Sequence, residues 1–219
     1  MKQGLTKLVF ILDRSGSMSG LEGDTIGGFN SLLDKQKKEP GDCTVTTVLF
    51  DDRYELLHDR IPLGGVERIT EREYYVRGST ALLDALGRTI DKTANAQTRT
   101  AESERAEKVL FVIITDGMEN ASREYGIDRV KAMVEQKQKE SGWEFLFLGA
   151  NIDAIQVAAR FGIAADRAVN YCPDGAGTRL NYDVVSATVA GVRAGRPMAA
   201  NWKRRIEEDY QTRKGKGRK

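Results

Sequence analysis

Leu8-Val9-Phe10-Ile11-Leu12-Asp13-Arg14-Ser15-Gly16-Ser17 is the stretch whose reading decides the fold. Its five successive apolar residues lack the three-and-four spacing of an amphipathic helix. They read as a strand buried on both faces of a parallel sheet. The strand ends on an acid, and hydroxyls follow at Ser15 and Ser17. Open α/β sheets bind ligands in the loops beyond the carboxyl ends of their strands, which is where this Asp-x-Ser-x-Ser segment falls. One carboxylate with two neutral hydroxyls is a hard oxygen set, better suited to Mg²⁺ or Mn²⁺ than to zinc. The same residues also make a capped turn with no metal, since Asp and Ser side chains bond loop backbone and cap helices.

Two later segments add oxygens of the same kind. Arg77-Gly78-Ser79-Thr80-Ala81-Leu82-Leu83-Asp84-Ala85-Leu86 places a hydroxyl at the start of a helix whose Leu82, Leu83, Leu86 and Ile90 follow helical spacing. Thr80 alone would be an N-cap there, and Asp84 a residue of that helix. Val109-Leu110-Phe111-Val112-Ile113-Ile114-Thr115-Asp116-Gly117 is a second apolar strand ending on an acid and a turn glycine.

Taken together, Asp13-x-Ser15-x-Ser17, then Thr80 in Gly-Ser-Thr-Ala-Leu, then Asp116 in Thr-Asp-Gly, resemble the von Willebrand factor type A (VWA) family. The likeness in element order runs from about residue 5 to 195, and it is nearest to the compact single-domain bacterial members. The resemblance implies that Asp13, Ser15, Ser17, Thr80 and Asp116 form a metal-ion-dependent adhesion site (MIDAS) holding Mg²⁺ or Mn²⁺. It also implies that an Asp or Glu of a partner protein completes the coordination. The protein would then be a binding module and not an enzyme, an adaptor of the kind that works beside ATPases, kinases or phosphatases.

Composition bounds the alternatives. The chain has 219 residues, 40% hydrophobic and 30% charged, which suits one α/β domain over residues 1–200 followed by a tail over 201–219. No apolar run approaches the roughly 20 residues needed to span a bilayer. The N-terminus runs straight into the first strand without the pattern of a signal peptide, so a cytoplasmic location is expected. His58, the only histidine, falls on the expected edge strand and reads as a surface residue. A histidine triad or multi-histidine zinc site is excluded. Cys43 and Cys172 lie far apart without CxxC spacing and read as structural thiols. The net charge is +2, and the last seven residues contribute five positive charges, so the remaining body stands at −3. Arg213, Lys214, Lys216, Arg218 and Lys219 thus make a basic tail, expected to be disordered and able to make weak, salt-sensitive contacts with nucleic acid.

Strands are expected at 7–13, 43–50, 54–60, 109–115, 143–150 and 168–171. Helices are expected at 21–38, 82–96, 126–141, 152–161 and around Val185, Val189 and Val192. A surface loop is expected at 97–108. The short Asp51-Asp52-Arg53 turn makes residues 54–60 an antiparallel edge strand. Otherwise strands alternate with helices. The expected fold is therefore a three-layer, doubly wound α/β sheet, mainly parallel, with helices on both faces.

Other oxygens fall near the motif. Asp51, Asp52, Glu119 and Asn120 are candidates for its rim or for turn and cap roles. Arg14 and Arg77 read as exposed loop residues able to meet an acidic partner. Asn151 and Asp153 read as caps of the short helix. A Mg²⁺-dependent phosphohydrolase or nucleotide-binding enzyme is the competing class. However, Ser15 stands where an Asp-x-Asp phosphohydrolase has its second acid, and neither a P-loop nor a dinucleotide fingerprint is present.

Overall fold

The computed structural model describes residues 1–214. Among them, β1 (Lys2–Asp13), β2 (Cys43–Phe50), β3 (Tyr54–Pro62), β4 (Ala106–Thr115), β5 (Glu144–Gly149) and β6 (Ala168–Asn170) form one sheet in the order β3-β2-β1-β4-β5-β6. Every neighbouring pair is parallel except β2 with β3, which makes β3 the antiparallel edge. The helices are α1 (Glu22–Gln36), α2 (Leu82–Arg99), α3 (Ile127–Ser141), α4 (Ala154–Arg160), α5 (Gly175–Arg193) and α6 (Arg204–Lys214).

Strand alternation divides the core into two layers. Leu8, Phe10 and Leu12 of β1 face one side, against Phe29, Leu32 and Leu33 of α1 and Val185 and Val189 of α5. Phe10 meets the Phe29 ring edge-on at 5.2 Å. Val9 and Ile11 face the other side, with Leu82, Leu86 and Ile90 of α2 and Val130 and Val134 of α3. With helices on both faces, the molecule is a three-layer, doubly wound α/β domain. From β1 the chain moves outward to β2 and β3, then returns to place β4 on the other flank of β1. The loops leaving β1 and β4 therefore diverge at a topological switch point, the crevice where such sheets hold ligands.

Three elements depart from the sequence expectation. β1 starts at Lys2 rather than residue 7, because its polar first half pairs beside Ala106 across an irregularity in the register. Gln97 belongs to α2 and not to a loop: its side-chain amide exchanges two hydrogen bonds with the Ala106 backbone, at 3.2 and 3.3 Å, tying the helix end to the start of β4. The tail expected to be disordered from residue 201 instead carries α6. Trp202 and Ile206 are buried there. The Trp202 indole N–H donates to the Asp166 carbonyl at 2.7 Å, and Lys203 Nζ donates to the Ala165 and Ala168 carbonyls at 2.8 Å each. The density of charge in this segment concealed its two apolar anchors. Arg213 pairs with Asp209 and with Asp174, the N-cap of α5, so its charge has counter-charges within the domain. The Lys214 backbone closes α6, while Lys216, Arg218 and Lys219 lie outside the described residues.

At the opposite end of α5, buried Arg193 donates to the Gln36 carbonyl (2.6 Å) and side chain (3.0 Å), and to the carbonyls of Glu39 (3.2 Å), Pro40 (3.3 Å) and Gly41 (3.0 Å). One guanidinium thus ties the last carbonyl of α1 to three carbonyls of the turn that follows it. Arg193→Ala is expected to cost about 3 kcal/mol of stability in urea unfolding, and a loss below about 1 kcal/mol would mean that these carbonyls find other donors.

Candidate metal centre

Three loops meet at the switch point. The first follows β1 and carries Asp13, Ser15 and Ser17. The second precedes α2 and carries Thr80, and the third follows β4 and carries Asp116. The structure brings all five side chains to one place. Ser15 Oγ lies 3.0 Å from Ser17 Oγ, and Thr80 Oγ1 donates to Ser15 Oγ at 3.0 Å. A Cβ on Gly117 would stand 2.9 Å from both Ser17 Oγ and Thr80 Oγ1. The three hydroxyls therefore ring the glycine after Asp116, and only a residue without a side chain fits between them.

The two acids are held by neutral groups. Asp13 accepts from the Thr115 hydroxyl at 2.5 Å and from the Ser15 amide at 2.7 Å. Burial pushes its carboxyl up to about 6; the bonds from Ser15 and Thr115 oppose the shift, and the nearby Asp116 charge adds to it. Burial also raises the Asp116 carboxyl, opposed by the Ser17 hydroxyl. One oxygen of Asp116, Oδ1, is buried with no hydrogen-bond partner. An unsatisfied buried carboxylate oxygen is costly, and here it lies beside three hydroxyl oxygens and a second carboxylate. The donor set fits a hard divalent cation. No group of three or more His, Cys, Asp or Glu suited to a metal exists among the described residues, so any ion held here must take hydroxyl oxygens as well as the two acids.

Arg14 overturns its expectation as an exposed loop residue. Its side chain is fully buried inside the motif loop. Nε donates to Asp51 Oδ2 at 3.0 Å, Nη2 to Glu55 at 2.6 Å and Nη1 to the Glu73 carbonyl at 3.1 Å. Arg77 Nε bonds the same Asp51 oxygen at 2.6 Å. Burial alone would raise the Asp51 carboxyl, but hydrogen bonds from Arg77 and the Arg53 amide, with the Arg14 and Arg77 charges, hold it below its ordinary value. Asp51 is thus consumed by arginines rather than free to rim the site. Backbone bonds run in parallel with these ion pairs: the Arg77 amide donates to the Arg14 carbonyl at 2.9 Å, and the Ala81 amide to the Asp51 carbonyl at 2.8 Å. Tyr74 Oη donates to the Asp13 carbonyl at 2.5 Å from beneath.

The loop after Asp116 is braced from the α2 side. Asn120 Oδ1 accepts from the Thr80 amide at 2.9 Å, and the Asn120 and Ala121 amides donate back to the Thr80 carbonyl at 3.0 and 3.2 Å. Thr80 is therefore held between loops and is not the N-cap of α2, a position taken by Ala81. Glu119 accepts from the Leu83, Ala121 and Ser122 amides and from the Ser122 hydroxyl. Asp84 accepts from the amides of Arg123, Glu124 and Tyr125. Asp153 caps α4, accepting from the Gln156 amide at 3.0 Å, and Asn151 takes a left-handed φ of 53° just before it. Thr115 and Asp84 have positioning roles that the sequence reading did not find, and Asn120, read as a rim or cap candidate, braces Thr80. The sole prior signal was Thr115, a hydroxyl closing an otherwise apolar strand.

No family model matches this sequence, and no curated protein sequence is matched by it. Solved structures are similar in fold. Proximal thread matrix protein 1 from the mussel byssus, in a structure described as having a zinc-occupied MIDAS motif, is 15% identical; the match covers 85% of this chain and 46% of that one, with a TM-score of 0.59. A von Willebrand factor type A protein from Catenulispora acidiphila is 13% identical, over 85% of this chain and 42% of that one, at 0.58. The manganese-loaded TRAP protein of Plasmodium vivax is 17% identical, over 82% and 72%, at 0.56. The chain spans less than half the length of the first two. Its fold is the VWA fold. No helix among the described residues is long and apolar enough to cross a membrane.

Removing Asp51 leaves the buried Arg14 charge without its one buried counter-ion, facing only the half-exposed Glu55. Asp51→Ala is expected to cost about 4 kcal/mol in urea unfolding. A cost under about 1 kcal/mol, the scale of a surface ion pair, would show that Arg14 finds water or another acid.

Proposed function

We propose that the protein is a metal-dependent protein-binding module. In this reading Asp13, Ser15, Ser17, Thr80 and Asp116 hold Mg²⁺ or Mn²⁺, and the partner supplies an Asp or Glu carboxylate. The observation that carries it is the buried, unpartnered Oδ1 of Asp116 beside three clustered hydroxyls and a second buried acid. A divalent cation bound there keeps positive charge after two carboxylates, and so attracts a third from outside. The chain's own part is to hold oxygens still. Thr115 and the Ser15 amide fix Asp13, Asn120 fixes Thr80, and Gly117 leaves room for the hydroxyls of Ser17 and Thr80.

Similarity of fold to proteins whose structures carry zinc or manganese supports a divalent ion in general. The preference for Mg²⁺ or Mn²⁺ rests on the all-oxygen donor set. A binding role is favoured over catalysis because Ser15 stands in place of the second acid that a phosphohydrolase loop would use for proton transfer. An adaptor role in a bacterial complex fits such a module.

Calorimetric titration of Mg²⁺ and Mn²⁺ into the native protein should give saturable binding, absent from a folded Asp13→Ala, Asp116→Ala variant. Saturating metal should also raise the melting temperature of the native protein and not that of the variant, since a ligand stabilises only the state that binds it. Equal heats and equal melting shifts in the two proteins would overturn the reading.

A further inference from the structure

Large apolar side chains exposed among the described residues are Met1, Tyr75 and Met118. Two of these three belong to the loops that build the candidate metal centre. Met118 is 66% exposed and follows Gly117 directly; Tyr75 is 43% exposed and follows Tyr74, whose hydroxyl bonds the Asp13 carbonyl. A lone exposed apolar residue needs no explanation, but these two are presented on fixed backbone. Met118 rides on the loop bolted to Thr80, Leu83 and Ser122 through Asn120 and Glu119. The Tyr75 ring lies 5.3 Å from each of the Arg14 and Arg77 guanidinium carbons, and its hydroxyl accepts from Arg77 Nη1 at 3.0 Å.

The two residues lie on loops at opposite flanks of β1. Arg14, Arg77 and Asp51 lean from β1 toward β2 and Glu55 of β3, and Tyr75 covers that cluster; Met118 leaves β4 on the other flank of β1. Methionine, tyrosine and arginine are the residue types enriched in binding interfaces. The Tyr75 ring, held by two guanidinium groups, loses little freedom on binding, so apolar contact with it translates efficiently into affinity, while Met118 offers an adaptable, polarizable surface.

We infer that the partner's carboxylate is read in context: the module takes an Asp or Glu flanked in sequence by large apolar residues, which pack on Met118 and Tyr75. This rests on the metal-dependent reading above and adds to it the chemistry of the partner segment. Charge complementarity sets the acid, and the apolar rim sets its neighbours. An acid in a polar, fully solvated context would gain the electrostatic contact alone.

The test is a synthetic peptide array. Each peptide carries a central Glu or Asp, flanked either by Leu, Phe and Met or by Ser and Gly. The array is probed in Mg²⁺ and in EDTA with the native protein, with Met118→Ser, with Tyr75→Ser, and with the Asp13→Ala, Asp116→Ala variant. The expected result is Mg²⁺-dependent retention favouring apolar flanks by about tenfold, the value of burying one such side chain. That bias should fall in Met118→Ser and in Tyr75→Ser, while calorimetric Mg²⁺ affinity of Met118→Ser stays at the native value. Mg²⁺-dependent retention with no preference between flanks, or a preference unchanged in both rim variants, would overturn the inference and leave the metal-dependent reading standing. Retention that is indifferent to EDTA and to loss of Asp13 and Asp116 would overturn both.

Discussion

The buried pair of Arg14 and Asp51 is the constraint on which the rest of the site depends. Arg14 lies between Asp13 and Ser15, so wherever its side chain is anchored, the motif loop must follow. Its anchor is an acid at the end of β2 with no exposed surface. A guanidinium suits this task because its fork satisfies several acceptors at once, here Asp51, Glu55 and the Glu73 carbonyl. The same carboxylate oxygen holds Arg77, and with it the approach to Thr80. One buried charge cluster thus fixes two of the three loops relative to each other. The third is tied to Thr80 by Asn120. Ion pairs at such depth rarely add much net stability, but losing one partner is expensive, and that expense is what holds the loops in one arrangement.

Three acids at the same edge of the sheet carry opposite electrostatic situations. Asp51 has its counter-charges inside the protein, and they pull its carboxyl below the ordinary range. Asp13 and Asp116 are buried with neutral partners, so burial drives both upward, and the Asp116 charge adds to the rise of Asp13. A fold that needed only to be stable could have paired these two as it paired Asp51, or replaced them with Asn. Leaving two carboxylates short of positive charge, with one oxygen unbonded, is sensible where a cation arrives from solution. The deficit is local: Asp84 in the first turn of α2 and Glu119 on the loop after Asp116 have both oxygens engaged by backbone amides, and Asp153 has one.

The strands, the antiparallel edge and the five clustered oxygens were legible in the sequence because each leaves a local mark. The apolar runs at 8–12 and 109–114 can only be central strands, and each ends on its acid. What the sequence hid depends on contacts between distant residues. Nothing local distinguishes Arg14 from an exposed arginine; its burial follows from Asp51, thirty-seven positions away. The role of Asn120 depends on Thr80, forty positions earlier. The last helix was concealed by averaging: a segment dense in Lys, Arg and Glu has the composition of a solvated tail, yet Trp202 and Ile206 bury enough apolar surface to dock it.

The rigidity of the loops bears on what kind of binding the site can perform. An ion held by oxygens already fixed in place costs the protein little further order when it binds, and the same holds for a partner meeting the Tyr75 ring. Such preorganisation favours recognition of short exposed segments, where few contacts are available and little affinity can be surrendered to ordering. It also means that selectivity must come from the immediate surroundings of the carboxylate, because a metal ion alone cannot distinguish one Asp or Glu from another. The two exposed apolar side chains on the loops that build the site, Met118 and Tyr75, are features able to make that distinction.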